Sequence, residues 1–197
     1  MTDYLVSTQG LSCERDDRVL FEDLTLKFSA GELIQIAGRN GAGKSTLLRI
    51  IAGVYTGFEG AINTAFFKHQ LCYFGHKVPL KPALTADENL SAHSLLASST
   101  TRQQRSDALA RFGLDDYIDV PCSDMSEGQR RRVGLSRIFL SKAKVFVLDE
   151  PFASLDKETV SFLEQVLVEL SDLGNLVIFT SHHHIEHPRL KKVVLDG

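Results

Sequence analysis

Residues 38–46 read "GRNGAGKST", and Gly38, Gly43, Lys44 and Ser45 fall on the pattern GxxxxGK[ST]. These residue types suit one task, which is holding a polyphosphate. Glycines let the backbone take positive φ and come close to a bulky anion, so that successive N–H groups converge on its oxygens. Asn40, Gly41, Ala42 and Thr46 complete the loop that wraps it. Lys44 carries a point charge toward the β and γ phosphates. Ser45 offers a hydroxyl to Mg²⁺, and a helix beginning at Lys44 aims its positive end at the anion. A second cluster, "VFVLDEP" at 145–151, puts two carboxylates at the end of an apolar strand. Next to a phosphate loop they divide the labour: Asp149 holds the metal, and Glu150 orients or deprotonates the water in line with the γ phosphate. Without the loop, the same pair would read as a helix cap ahead of Pro151.

Elements on either side position these groups. "ELIQIAG" before the loop is apolar and β-branched enough for a buried strand, and "KSTLLRIIAG" after it has helical spacing ending at Gly53. Upstream, alternation from Tyr4 to Phe28, clearest in "LTLKF" and broken by the turn-like "ERDDR", predicts a small antiparallel sheet. "FEGAI" and "QLCYFG" read as short strands. Between Lys77 and Lys142 the character turns helical. Thr85 and Glu88 form a capping box for "ADENLSAHSLLASS", "RQQRSDALARFG" closes at Gly113, and "EGQRRRVGLSRIFL" starts a third helix after Ser126. "KVFVLDEP", the amphipathic "DKETVSFLEQVLVELSDLG" and "NLVIFTSH" then alternate strand, helix and strand, which predicts a mostly parallel sheet with right-handed crossovers. The expected fold is a single α/β phosphate-loop domain over 1–197. Residues 1–76 and 143–197 form its core, and 77–142 a helical subdomain.

Twenty-two Lys and Arg against 25 Asp and Glu give a net charge of −3, so no global field attracts nucleic acid or an anionic membrane. No apolar run approaches the roughly 20 residues of a spanning helix, and "MTDYLVSTQG" lacks the makings of a signal peptide. A cytosolic chain without direct membrane insertion is expected, so any membrane role runs through a partner. Cys13, Cys72 and Cys122 form no CxxC pair and read as reduced packing residues. "SHHHIEH" collects four imidazoles, but only Glu186 joins them at ligand spacing.

Taken together the motifs resemble the nucleotide-binding domain of the ABC (ATP-binding cassette) ATPases. "MSEGQRRRVGLSR" is similar to that family's signature, with Ser126, Gly128 and Gln129 in place 23 residues before Asp149, and with Glu127 where a glycine is usual. "ASLD" resembles the D-loop ending in Asp156. "FTSH" resembles the switch segment, which makes His182 the γ-phosphate histidine rather than His183 or His184. The resemblance implies a RecA-like core with an antiparallel β subdomain and a helical subdomain. It also implies ATP and Mg²⁺ as cofactors and a head-to-tail homodimer, with ATP sandwiched between one copy's phosphate loop and the other's Ser126 and Gly128. Catalysis would fall to Glu150, His182 and Lys44, and the metal to Ser45 and Asp149. Two positions depart from the wider family. Arg15 stands where an aromatic usually stacks on adenine, though a guanidinium plane can stack too. His76 stands where a glutamine usually senses the metal.

"LSCERDDRVLFEDLTLKFSAGELIQIAGRNGAGKSTLLRIIAG", "GHKVPLKPALTADENL" and "LDEPFASLD" narrow the likeness to the ATP-binding subunits of the cytochrome c biogenesis system, the haem exporter (CcmA) family, in which Arg15 and His76 are no longer anomalies. That resemblance implies integral membrane subunits as partners, docked near "KVPLKPAL". It implies a peripheral place on the cytoplasmic face of an inner membrane, and haem delivery to a periplasmic chaperone. The alternatives are an ABC subunit for another cargo and a soluble ABC ATPase of translation or DNA repair.

Overall fold

The computed structural model describes residues 4–66, 70–92, 100–183 and 185–195. His184 and the second half of the helix expected in "ADENLSAHSLLASS" lie outside them. The chain divides into two units. One comprises Met1–His76, Ala143–Pro151 and Leu163–Gly197, and the other Lys77–Lys142 and Phe152–Phe162.

In chain order the first unit begins with strands β1 (Tyr4–Arg15), β2 (Arg18–Leu24), β3 (Lys27–Ser29) and β4 (Leu33–Gly38), then helix α1 (Lys44–Ile51) and strands β5 (Glu59–Thr64) and β6 (Leu71–Phe74). β1 pairs antiparallel with β2, β3 and β5, forming the expected antiparallel sheet. The β1–β2 hairpin turns on Asp16 and Asp17, whose φ of 54° and 57° are both left-handed, the backbone of a two-residue primed turn. Within β2 the register slips: Val19 faces Glu14 and Phe21 faces Cys13. Leu20 is therefore the extra residue of a bulge, and Leu20 and Phe21 both turn inward and are buried.

β7 (Val145–Leu148), β8 (Leu176–Thr180) and β9 (Leu190–Leu195) join β4 and β6 in a parallel sheet of order β6-β7-β8-β4-β9. Every residue of β7 and β8 is buried, which explains their unbroken apolar sequences. β8 lies between β4 and β7, so the carboxyl ends of these three strands emerge side by side, the usual place for a ligand in such sheets. α1 buries Leu47, Leu48, Ile50 and Ile51 in the core shared by both sheets, and Gly53 ends it at φ 67°. β9 was not foreseen in the sequence, because Lys191 and Lys192 interrupt its apolar pattern. Both are exposed on an edge strand, where lysines guard against pairing with another chain.

The second unit holds α2 (Ala86–Ser91), α3 (Arg102–Ala110), α4 (Glu127–Leu135) and α5 (Arg137–Leu140); α6 (Lys157–Asp172) starts in it and continues into the first. Thr85 with Glu88, Thr101 with Gln104 and Ser126 with Gln129 each form a complete capping box. The single helix expected through "EGQRRRVGLSRIFL" is two. Ser136 bonds back to the Arg132 carbonyl at 2.9 Å and interrupts the run, as such back-bonding tends to. Phe162 packs edge-on against Phe112 (centroids 5.3 Å apart) and beside Phe139 (6.2 Å). This contact ties the segment Phe152–Phe162, which the sequence reading assigned to the core, to the second unit.

Candidate active site

The phosphate loop runs from the end of β4 into α1. At Gly43 φ is 88°, and a Cβ there would lie 2.9 Å from both the Leu20 Cβ and the Phe21 ring. The bulge in β2 thus presses directly on the loop, and only glycine fits beneath it. Gly38, at φ 139°, is equally constrained, because a Cβ there would meet the Leu195 carbonyl of β9 at 2.6 Å. Lys44 folds its ammonium over the loop, donating to the Gly38 carbonyl at 2.9 Å and the Arg39 carbonyl at 3.0 Å.

At the ends of β7 and β8 the two acids are handled differently. Asp149 is fully buried, and its Oδ1 accepts from Ser45 Oγ and Thr180 Oγ1, each at 2.9 Å. Its Oδ2 is buried without a hydrogen-bond partner among the described residues. A carboxylate oxygen so placed is expensive unless a cation meets it, and a carboxylate beside a hydroxyl is an oxygen donor set of the kind Mg²⁺ takes. Glu150 follows with left-handed φ of 50°, which turns its side chain away from that of Asp149. Its N–H donates to Thr180 Oγ1 at 2.9 Å, and its Oε2 accepts from the His182 N–H at 3.2 Å. The His182 imidazole Nε2 lies 3.6 Å from Glu150 Oε1 and is largely exposed.

Thr180 therefore joins both acids through one hydroxyl, a role with no signal in the sequence. His183 turns elsewhere, 2.9 Å from Glu164 on α6, and of these two imidazoles it is His182 that faces Glu150.

These groups open on a cleft of about 610 Å³, within the range of small-molecule sites. Arg15, Asn40, Lys44, His76, Glu150 and His182 all line it, as do Gly41, Gly43, Ser45 and Thr46. Ala42 and Asp149 lie buried behind them. Arg18 also lines the cleft and was not anticipated.

In the second unit, Ser126 and Gln129 are occupied with each other: Ser126 N–H donates to Gln129 Oε1 at 2.8 Å, and Ser126 Oγ accepts from Gln129 N–H at 3.2 Å. The Ser126 hydroxyl proton remains available to donate. A Cβ on Gly128 would lie 2.9 Å from the Ser154 carbonyl, so glycine admits the D-loop against the signature turn. Glu127 Oε1 accepts from Ser154 Oγ at 2.9 Å. Asp156 caps α6 by accepting from the Thr159 N–H at 2.8 Å, and that amide bond holds its carboxyl below the ordinary range.

Comparison with known proteins shows the family and the fold. The model of the ABC transporter family matches residues 21–153. The cytochrome c biogenesis ATP-binding export protein CcmA of Saccharophagus degradans is 43% identical over 205 aligned residues, covering 95% of this chain and 92% of that protein. The protein of the same name from Aliivibrio fischeri is 41% identical, covering 97% and 99%. Among solved structures, a dimeric ATP-binding cassette in a post-hydrolysis state with ADP and Pi superposes with a TM-score of 0.80 at 22% identity, covering 90% of this chain and 88% of that one. That likeness is one of fold.

Proposed function

The chain belongs to the ABC transporter family, among its cytochrome c biogenesis ATP-binding export proteins, and we propose that its ATPase activity drives a membrane partner that supplies haem for c-type cytochromes. The observation that carries the catalytic reading is the separation of two adjacent acids by the left-handed turn at Glu150. Asp149 is buried and bonded to the phosphate-loop serine, whereas Glu150 lines the cleft beside His182.

In this reading the loop amides and Lys44 bind the phosphates. Lys44 releases the carbonyls of Gly38 and Arg39 when a phosphate arrives, exchanging neutral acceptors for charged ones. Mg²⁺, held by Ser45 and Asp149, would supply charge neutralisation at the β and γ oxygens. Glu150 takes the proton of the attacking water, and His182 donates to the γ phosphate and keeps Glu150 oriented. Arg15 offers its guanidinium plane to the base. His76 lines the same cleft and can bond a water at the reacting phosphate.

Ser126 and Gly128, at the N-terminus of α4, present an anion site to ATP held by the second copy of a head-to-tail homodimer. Gln129 fixes the Ser126 rotamer, and the Asp156 turn packs the D-loop behind it. Among the described residues no helix is long and apolar enough to cross a membrane. In this reading the chain works as a peripheral subunit at the cytoplasmic face of the inner membrane, through integral membrane subunits.

A cell whose only copy carries Glu150→Gln should lose covalently haem-bound c-type cytochromes on haem-stained gels and keep b-type spectra. Normal c-type levels at normal expression would overturn the pathway and leave the ATPase assignment standing.

A further inference from the structure

We propose that Arg18 is a nucleotide-binding residue whose guanidinium meets the polyphosphate of a nucleoside di- or triphosphate at the mouth of the phosphate loop. The inference rests on the nucleotide site described above and adds to it a cation that neither the loop motif nor the adenine position contains. Three observations support it.

The first is register. The two-residue turn at Asp16 and Asp17 makes Arg15 and Arg18 direct cross-strand partners. Residues directly opposite in an antiparallel pair share a face, and both arginines line the cleft that holds Lys44.

The second is anchoring. Two residues on from Arg18, the bulged Leu20 is buried with Phe21 and lies against Gly43. The start of β2 is thus fixed on the loop by core packing rather than left free in solvent. The Arg18 head lies over Gly41: a Cβ on that glycine would be 3.2 Å from Nη1 and 3.6 Å from both Cζ and Nη2.

The third is partnership. Arg15 has a carboxylate, Asp16, at 3.4 Å. Arg18 has no ion pair among the described residues. It is exposed, unneutralised and aimed across the loop, with a planar fork of donors that suits phosphate oxygens. A solvated hairpin arginine with no ligand role would have no need of a strand pinned to the phosphate loop.

The test is the affinity of the full-length protein for ADP, measured by calorimetry for the unaltered chain and for Arg18→Ala, Arg18→Lys and Arg18→Gln, with Lys44→Ala as reference. One exposed charge-assisted contact predicts a rise in Kd of roughly tenfold for Arg18→Ala. The thermal midpoint of the nucleotide-free protein should not move, since the side chain is exposed. Arg18→Lys, which keeps the charge, should bind ADP more tightly than Arg18→Gln, which keeps a planar polar head without it. A Kd for Arg18→Ala within twofold of the unaltered protein overturns the inference. So does Arg18→Gln binding as well as or better than Arg18→Lys, which would make the contact one of stacking on the base. Tight ADP binding by Lys44→Ala would overturn the phosphate-loop reading itself.

Discussion

Replacing Thr180 by valine should uncouple the two acids while barely changing side-chain shape. Thr180 is fully buried, donates to Asp149 Oδ1 and accepts from the Glu150 N–H, each at 2.9 Å. Valine removes both bonds. Loss of a donor to a buried carboxylate is worth about 1.5–3 kcal/mol, and a buried N–H left without its acceptor about 1–3 kcal/mol. The added methyl returns about 0.8 kcal/mol, so the net loss is about 2–5 kcal/mol. For a chain of this size that corresponds to a fall in Tm of the order of 10 °C. Turnover should fall further than stability alone would cause, because the left-handed turn at Glu150 loses the bond that holds it. A positioning loss of about 1.4 kcal/mol expressed in the transition state is tenfold in kcat. Thr180→Ser is the control: it keeps the hydroxyl and loses a methyl worth about 0.8 kcal/mol. Thermal unfolding and steady-state ATP hydrolysis at saturating ATP decide the matter. If Thr180→Val matches Thr180→Ser in both, the hydroxyl does not organise the acids and the reasoning fails.

Gly43→Ala should abolish ATP binding. It forces a left-handed alanine, at about 1–2 kcal/mol, and pushes a methyl into Leu20 and Phe21, which overpacks the core by about a further 1–3 kcal/mol. Calorimetry and thermal melts would check both effects. Burial raises the thiol pKa of Cys13 and of Cys122. A raised thiol pKa contributes stability that is present below the unfolded value and lost as pH rises through the folded one. Neither cysteine should therefore be alkylated by iodoacetamide at pH 8 in the folded protein, whereas both should react in urea, as read by mass spectrometry.

The parts legible in the sequence were those in which a contiguous run must contain fixed residue types. The phosphate loop, the Asp149–Glu150 pair and the capping box of Thr85 and Glu88 are all of this kind, because a loop around an anion or a helix end is built from neighbours in the chain. Contacts made across the fold left no such trace. Thr180 lies 31 residues from Asp149, and nothing in "FTSH" distinguishes a threonine that bridges two acids from one that fills a buried strand. Arg18 reads as hairpin charge until the bulge at Leu20 brings β2 down on Gly43. Glu127 shows in the sequence only as a glutamate where a glycine is usual, whereas in the fold it bonds Ser154, 27 residues away. The edge strand β9 was hidden by its lysines, and the break at Ser136 by the otherwise regular helical spacing around it. His182 was separable from His183 in advance only by family resemblance. In the fold the distinction has a physical basis, since one imidazole faces Glu150 and the other Glu164.

The central claim is that each ATP site is completed by a second copy and fired by Glu150. Light scattering of the purified Glu150→Gln protein, with and without nucleotide, tests it most directly. The chain has a mass of 21.8 kDa. With Mg²⁺ and ATP the account predicts a particle of twice that mass, which returns to a single chain with ADP and does not form when Ser126 is also changed to alanine. A protein that binds ATP to saturation yet keeps the mass of one chain would contradict the shared site.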